Sequence, residues 1–212
     1  MSGFIQSKST LILSNHKCGS STVDSIFRKA YHIRGIATNS GEQFDFNPNS
    51  NHYTNLTSEP WKHASIEVWQ KYLELKGFDL RKIKTVTTVR NPWDRLVSLF
   101  SYQSAYSTQF GDVSFSQFVE CLYAQGDNAY KPFLNFIFDD NCKMKIDKVI
   151  KLEDFSTEIA KLCEELGEDR PINLTKVNAT KRNTYPSYYS ARTKDLVYKM
   201  FKTEVDYFNY EF

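Results

Sequence analysis

Two short clusters of residues combine the side-chain types and spacing needed to hold an anion. The first, His16-Lys17-Cys18-Gly19-Ser20-Ser21-Thr22, packs a lysine, a glycine and three hydroxyls into one turn. A glycine-containing turn that opens a helix can aim successive backbone N–H groups at one phosphate-like group, and the helix N-terminus adds partial positive charge. Lys17 brings a full charge on a mobile stem, and Ser20, Ser21 and Thr22 bring further donors. Lys17 precedes Gly19, the reverse of the GxxxxGK[ST] order, so the turn lacks the arrangement that holds a magnesium–triphosphate. By itself the cluster reads equally well as a helix N-cap with its lysine in solvent.

The second cluster is Val89-Arg90-Asn91-Pro92-Trp93-Asp94-Arg95-Leu96-Val97-Ser98. Arg90 offers a rigid fork of donors suited to a phosphate, and a serine about two helical turns on can complete the set. Alone, Arg90 would also suit a structural role. Asp94 and Arg95 read as an ion pair at a helix start.

A hydroxyl that attacks must lose a proton, which calls for a base. His63, in Trp61-Lys62-His63-Ala64-Ser65, lies between the two clusters and just before a helix; an imidazole titrating near ~6.5 suits that work. A capping or packing role is the alternative for it. His16 is the second choice, His32 and His52 read as loop residues, and Glu59 and Glu67 flank His63 as orienting or reserve carboxylates.

The elements that must position these groups follow from periodicity. Ser9–Ser14 is a short apolar run, read as a buried strand, and Thr22–Tyr31 has helical spacing through Val23, Ile26, Phe27 and Ala30. Lys84–Val89, rich in β-branched residues, is a second strand, and Pro92 sits near the first turn of the helix after it. Helices are expected over Ala64–Leu75, Phe115–Tyr123, Lys131–Phe138, Ser156–Leu166 and Ala191–Tyr207, with a third strand at Lys148–Lys151. Gly35–Pro60 and most of Asp169–Pro186 read as loops. Alternation of strands and helices predicts one α/β domain over residues 1–212, a mostly parallel sheet flanked by helices. Such sheets bind ligands at the carboxyl ends of their strands, where both clusters begin.

Composition narrows the classes. The net charge of +2, from 27 basic and 25 acidic residues, provides no global attraction to nucleic acid, so any anion site is local. No apolar run is long enough to span a bilayer, and the N-terminal region lacks the pattern of a signal peptide. The expectation is a soluble, cytoplasmic protein with free thiols, because Cys18, Cys121, Cys142 and Cys163 form no CxxC pair or metal-ligand pattern.

The two clusters together resemble the sulfotransferases that use PAPS (3′-phosphoadenosine-5′-phosphosulfate), and most closely their carbohydrate (Golgi-type and bacterial) branch. Members of that branch carry loops like PKTAGTS and VRNPWDRLVS, and the second stretch here fits at every position. Lys151-Leu152-Glu153-Asp154-Phe155 and the C-terminal YPSYYSARTKDLVYKMFKTEVDYFNYEF look like further family elements, so the resemblance covers nearly the whole chain. It implies a P-loop-like sulfotransferase fold in which Lys17, Cys18, Gly19, Ser20, Ser21 and Thr22 hold the 5′-phosphosulfate. It implies that Arg90 and Ser98 hold the 3′-phosphate, and that the loop Asn178–Arg182 adds a late contact through Lys181 and Arg182, a loop that a merely solvated role also fits. Transfer would be in-line at sulfur onto a hydroxyl, most simply of a sugar, releasing PAP (3′-phosphoadenosine-5′-phosphate). Lys17 would neutralise the leaving charge, His63 would be the base, and no metal would be needed. His16 stands where the family has proline, and Cys18 where it has threonine or valine. The other classes these residues allow are a nucleotide-dependent kinase, a non-catalytic PAPS- or glycan-binding module, and a scaffold that keeps the motifs as relics.

Overall fold

The computed structural model describes residues 3–5, 8–23, 26, 63–75, 77–106, 112–167 and 182–212. The chain divides into two compact units, Met1–Val89 with Ile146–Val177 and Arg90–Lys145 with Asn178–Phe212. The predicted loop Gly35–Pro60, the end of the first helix and Lys181 lie outside the described residues.

The first unit is built on a four-stranded sheet of order β1 (Gly3–Ile5), β2 (Thr10–Leu13), β3 (Lys84–Val89) and β4 (Lys148–Lys151). Strands β2, β3 and β4 are parallel, with Leu13 beside Thr87 and Val89 beside Lys151. Sequence periodicity located these three. It did not reveal β1, an antiparallel edge strand whose three residues are too few to show any alternation. One face of the sheet presents Ile12, Val86 and Ile150 to Val23, Ile26, Ile159, Leu162, Cys163 and Leu166, all buried. The last four recur at helical spacing along α5 (Phe155–Glu165) and its C-cap Leu166, so one stripe of the helix covers the sheet. Each such side chain contributes about 1.5–3 kcal/mol when fully buried. Gly167, at φ 68°, ends the helix where a side chain would be strained. A second helix, α1 (Ile66–Leu75), buries Ile66, Trp69, Tyr72 and Leu73. Burial pushes the Tyr72 phenol up to about 12.

The second unit is helical: α2 (Pro92–Tyr106), α3 (Phe115–Ala124), α4 (Asp127–Asn135) and α6 (Ala191–Phe208). Helices α2, α3 and α4 all pack on α6. That helix opens with a Ser190–Thr193 capping box and ends at Asn209 in the left-handed conformation, with Leu196, Val197, Met200, Phe201, Val205 and Phe208 buried. The fourth helix begins and ends earlier than its apolar pattern suggests. Phe136 and Ile137 leave it in a turn, and Phe138 bridges to Met144 instead.

Candidate active site

In the first unit the glycine turn follows β2 directly. Residues 16–19 turn and helix begins at Ser20, with Thr22 and Val23 donating their N–H groups to the Gly19 carbonyl at 3.0 and 3.1 Å. The N–H groups of the first helical turn, those of Ser20 and Ser21 among them, have no acceptor inside the helix. Two residues take left-handed backbone, Gly19 at φ 78° and Lys17 at φ 57°. For a lysine that conformation costs about 1–2 kcal/mol and persists only where surrounding structure imposes it.

Two contacts impose it here. Thr88 on β3 donates its hydroxyl to the Cys18 carbonyl at 2.6 Å, tying the turn to the neighbouring strand. The Cys18 thiol, wholly buried, donates to the His16 carbonyl at 3.2 Å. Cys18 thus serves the turn through a thiol that faces inward, and solvent oxidants have no direct access to it. Gly19 has a second reason to be glycine, since a Cβ there would stand 2.6 Å from Leu152 Cδ1.

His63 lies beside this turn. Its Nδ1 is 2.7 Å from the carbonyl oxygen of Ser14, the residue after β2. A carbonyl only accepts, so Nδ1 carries the hydrogen, and in the neutral ring Nε2 is left with the lone pair a base requires. The His16 ring stacks on it with centroids 3.8 Å apart and planes 25° from parallel. The sequence places His16 next to the turn but holds no sign of this stack.

In the second unit the Arg90–Ser98 segment separates into distinct tasks. Asn91 caps α2: its side-chain oxygen accepts from the Trp93 N–H at 3.0 Å, its carbonyl accepts from the Arg95 N–H at 2.8 Å, and Pro92 takes the first helical position. The Asn91 amide also donates to the Glu211 carbonyl at 2.7 Å, and the Trp93 indole donates to that of Lys194 at 3.0 Å. The Tyr189 hydroxyl donates to the Trp93 carbonyl at 2.9 Å. Burial first, and then the Asp94 carboxylate, raise the Tyr189 phenol well above its ordinary range, so it stays a neutral donor. The C-terminal aromatics are therefore docking residues: Phe212 meets Trp93, Tyr185 and Tyr189 edge to face.

Asp94 does not pair with Arg95. Its Oδ2 accepts from Arg90 Nε at 2.7 Å and Nη2 at 2.6 Å, and its Oδ1 from Arg182 Nη2 at 2.5 Å. The nearest rival partner for Arg95 was expected next to it, whereas the structure gives it Glu204 on α6. One carboxylate thus holds two guanidiniums, and among the described residues the buried Nη1 of Arg182 has no hydrogen-bond partner. An acceptor atom is what such a donor lacks. Ser98 is buried on α2, two turns from Arg90.

Among the described residues no group of three or more His, Cys, Asp or Glu side chains is placed to hold a metal ion. Nor, among them, is any helix long and apolar enough to cross a membrane.

A model described as the Sulfotransferase family matches residues 4–211. The chain belongs to the sulfotransferase family. Among solved structures, the mouse sulfotransferase SULT7A1 complexed with PAP superposes with a TM-score of 0.52 at 15% identity, covering 96% of this chain and 86% of that one. At that identity the likeness speaks for the fold: α/β, with a small, mostly parallel sheet and flanking helices. A sulfotransferase from Alicyclobacillus acidocaldarius gives a TM-score of 0.43 at 13% identity, over 96% of each chain. No curated protein sequence matches this sulfotransferase.

Proposed function

We propose that this sulfotransferase takes its sulfuryl group from PAPS and passes it to a hydroxyl of a sugar. What supports the donor assignment is that two donor-rich segments, Lys17–Thr22 and the one opening at Arg90, each follow the carboxyl end of one of two neighbouring parallel strands. PAPS has two anionic ends, and ATP or ADP lacks the 3′ one. In this reading the turn from Lys17 to Thr22 receives the 5′-phosphosulfate through backbone donors and hydroxyls. Arg90, Ser98, Arg182 and Lys181 receive the 3′-phosphate. SULT7A1, a structure of the same fold, is complexed with PAP.

The chemistry then follows from the residues. His63 Nε2 takes the proton from the attacking hydroxyl, and the new O–S bond forms as the bond from sulfur to the 5′-phosphate oxygen breaks. Negative charge gathers on that leaving oxygen. Lys17 neutralises it, the kind of charge stabilisation that lowers a barrier most. PAP departs with the charge. The sugar acceptor is supported by the likeness of VRNPWDRLVS to the carbohydrate branch, and a cytoplasmic setting by two exposed free thiols, Cys121 and Cys142.

Thermal melting with PAP, with ADP, and with ATP plus Mg²⁺ at equal concentrations tests the donor. A ligand at ~100 times its dissociation constant stabilises a fold by roughly 2.7 kcal/mol. Stabilisation by PAP and not by ADP, lost in Arg90→Ala, is the expected result. Stabilisation by ATP–Mg²⁺ with no response to PAP would overturn the reading.

A further inference from the structure

We propose that Thr88 is a positioning residue for the glycine turn: its hydroxyl holds the Cys18–Gly19 peptide in the orientation that presents the Gly19 N–H, and not the Cys18 carbonyl, to the anion. The inference rests on the reading of that turn as the seat of the 5′-phosphosulfate. Thr88 is buried and donates to the Cys18 carbonyl at 2.6 Å. The peptide is trans, so its C=O and N–H point opposite ways in one plane. A carbonyl drawn toward β3 therefore sends the Gly19 N–H away from β3. Among the described residues no backbone carbonyl accepts that N–H.

The peptide needs holding because glycine would let it turn over. Gly19 stands at φ 78°, and rotating the peptide by half a turn carries that angle to negative values, which glycine visits as readily. The peptide turned over would aim the negative end of a carbonyl dipole at the anion. One hydroxyl thus decides between a donor and a repulsive acceptor at the same place. Its foundation is β3 itself. Thr87, beside Leu13 in the register, donates to the Leu13 carbonyl at 2.9 Å from the opposite face of the strand. Thr88 shares its face with Val86, which lies in the core with Val23 and Ile26 from beyond the turn. Two successive threonines therefore fix the segment at the end of β2 and again at the peptide before the helix.

The sequence contains a single Cys–Gly step, Cys18-Gly19, so the full chain labelled with ¹³C-carbonyl cysteine and ¹⁵N-glycine gives one coupled signal, from this peptide. Spectra with and without PAP are recorded for the wild type, for Thr88→Val, which removes the hydroxyl at nearly constant volume, and for Thr88→Ser, which keeps it. Isothermal titration measures PAP and adenosine 3′-monophosphate, which lacks the 5′ group. In the wild type the Gly19 N–H signal should move downfield with PAP as it gains a charged acceptor. Thr88→Val should lose most of that shift and bind PAP roughly tenfold more weakly. Its affinity for adenosine 3′-monophosphate should not change, and Thr88→Ser should restore both shift and affinity. A wild-type shift in Thr88→Val, or a Thr88→Ser protein as impaired as Thr88→Val, overturns the proposal and leaves the turn as the 5′ site. Equal weakening of both nucleotides overturns it too, because Thr88 would then only support the fold. A Gly19 signal that ignores bound PAP in the wild type overturns it without any variant. If PAP also binds the wild type no more tightly than adenosine 3′-monophosphate, the turn holds no 5′ group and the reading beneath the proposal falls as well.

Discussion

Arg95 and Glu204 form a bidentate pair, Nη1 to Oε1 at 2.7 Å and Nη2 to Oε2 at 2.6 Å, and neither side chain has any exposed surface. The guanidinium also lies 4.8 Å from the ring centre of Phe201 and 5.2 Å from that of Phe133. This arginine, in the middle of the segment that most resembles a ligand-binding motif, therefore works on architecture. Removing one partner strands a buried charge, at a cost of about 3–5 kcal/mol, whereas replacing both by apolar residues of similar volume is often neutral. Urea unfolding should show Glu204→Gln and Arg95→Met each far less stable than the wild type, and the double variant Arg95→Met/Glu204→Leu close to it. PAP affinity of the double variant should match the wild type. A tenfold loss there would make Arg95 a ligand-binding residue after all.

Gly19→Ala separates two reasons for one glycine. The left-handed backbone at φ 78° costs an alanine about 1–2 kcal/mol. The 2.6 Å approach to Leu152 involves Cδ1, the end of a side chain that can rotate away. Backbone strain is thus the larger part. Gly19→Ala should lower the melting temperature and weaken PAP binding, and adding Leu152→Ala should restore little of either. Full rescue by Leu152→Ala would show that crowding, not φ, excludes a side chain at this position.

Much of this architecture is legible in the residue order, and the parts that are not have a common cause. Lys84–Val89 announces itself by β-branched residues and Pro92 by its place at a helix start, both local signals. The pairing of Arg95 with Glu204 spans 109 positions, and nothing near Arg95 points to it. Asp94 sits next to Arg95 in the chain, but on the helix it faces Arg90 one turn back and Arg182 from a distant segment. The glycine turn after β2 is visible as Lys17, Gly19 and three hydroxyls. The positive φ of Lys17 is not, and the Thr88 hydroxyl that holds the next residue's carbonyl comes from another strand. The stack of His16 on His63 is likewise a tertiary contact between residues 47 positions apart.

Glu165 gives the first unit a pH dependence of known sign. Lys148 and Lys84, one on each of two neighbouring strands, bond its carboxylate and hold it below the usual range. A carboxylate lowered in the folded state contributes stability above its unfolded value, and that contribution is lost as pH falls through the folded one. The side chain is 44% exposed, so solvent and salt screen the pair and its worth is a few tenths of a kcal/mol. Glu165→Gln should therefore lower the melting temperature slightly at pH 7 in low salt and by less at pH 3. An equal loss at both pH values would mean that packing, not charge, is what the glutamate supplies.

Arg182 gives the sharpest test of the proposed contacts to a 3′-phosphate. Its Nη2 is committed to Asp94, and the buried Nη1 has no partner among the described residues. A lysine presents a single point of charge and cannot satisfy Asp94 and a phosphate from one planar fork. Hydrogen bonds to charged groups contribute about 1.5–3 kcal/mol, so Arg182→Ala should weaken PAP roughly 10- to 100-fold. Arg182→Lys should recover only a small part of that loss. AMP, which carries the 5′-phosphate without the 3′ one, should bind all three proteins alike in isothermal titration. Should AMP and PAP weaken in parallel, Arg182 would be holding the fold around the nucleotide, and the 3′-phosphate would be recognised by Arg90 and Ser98 without it.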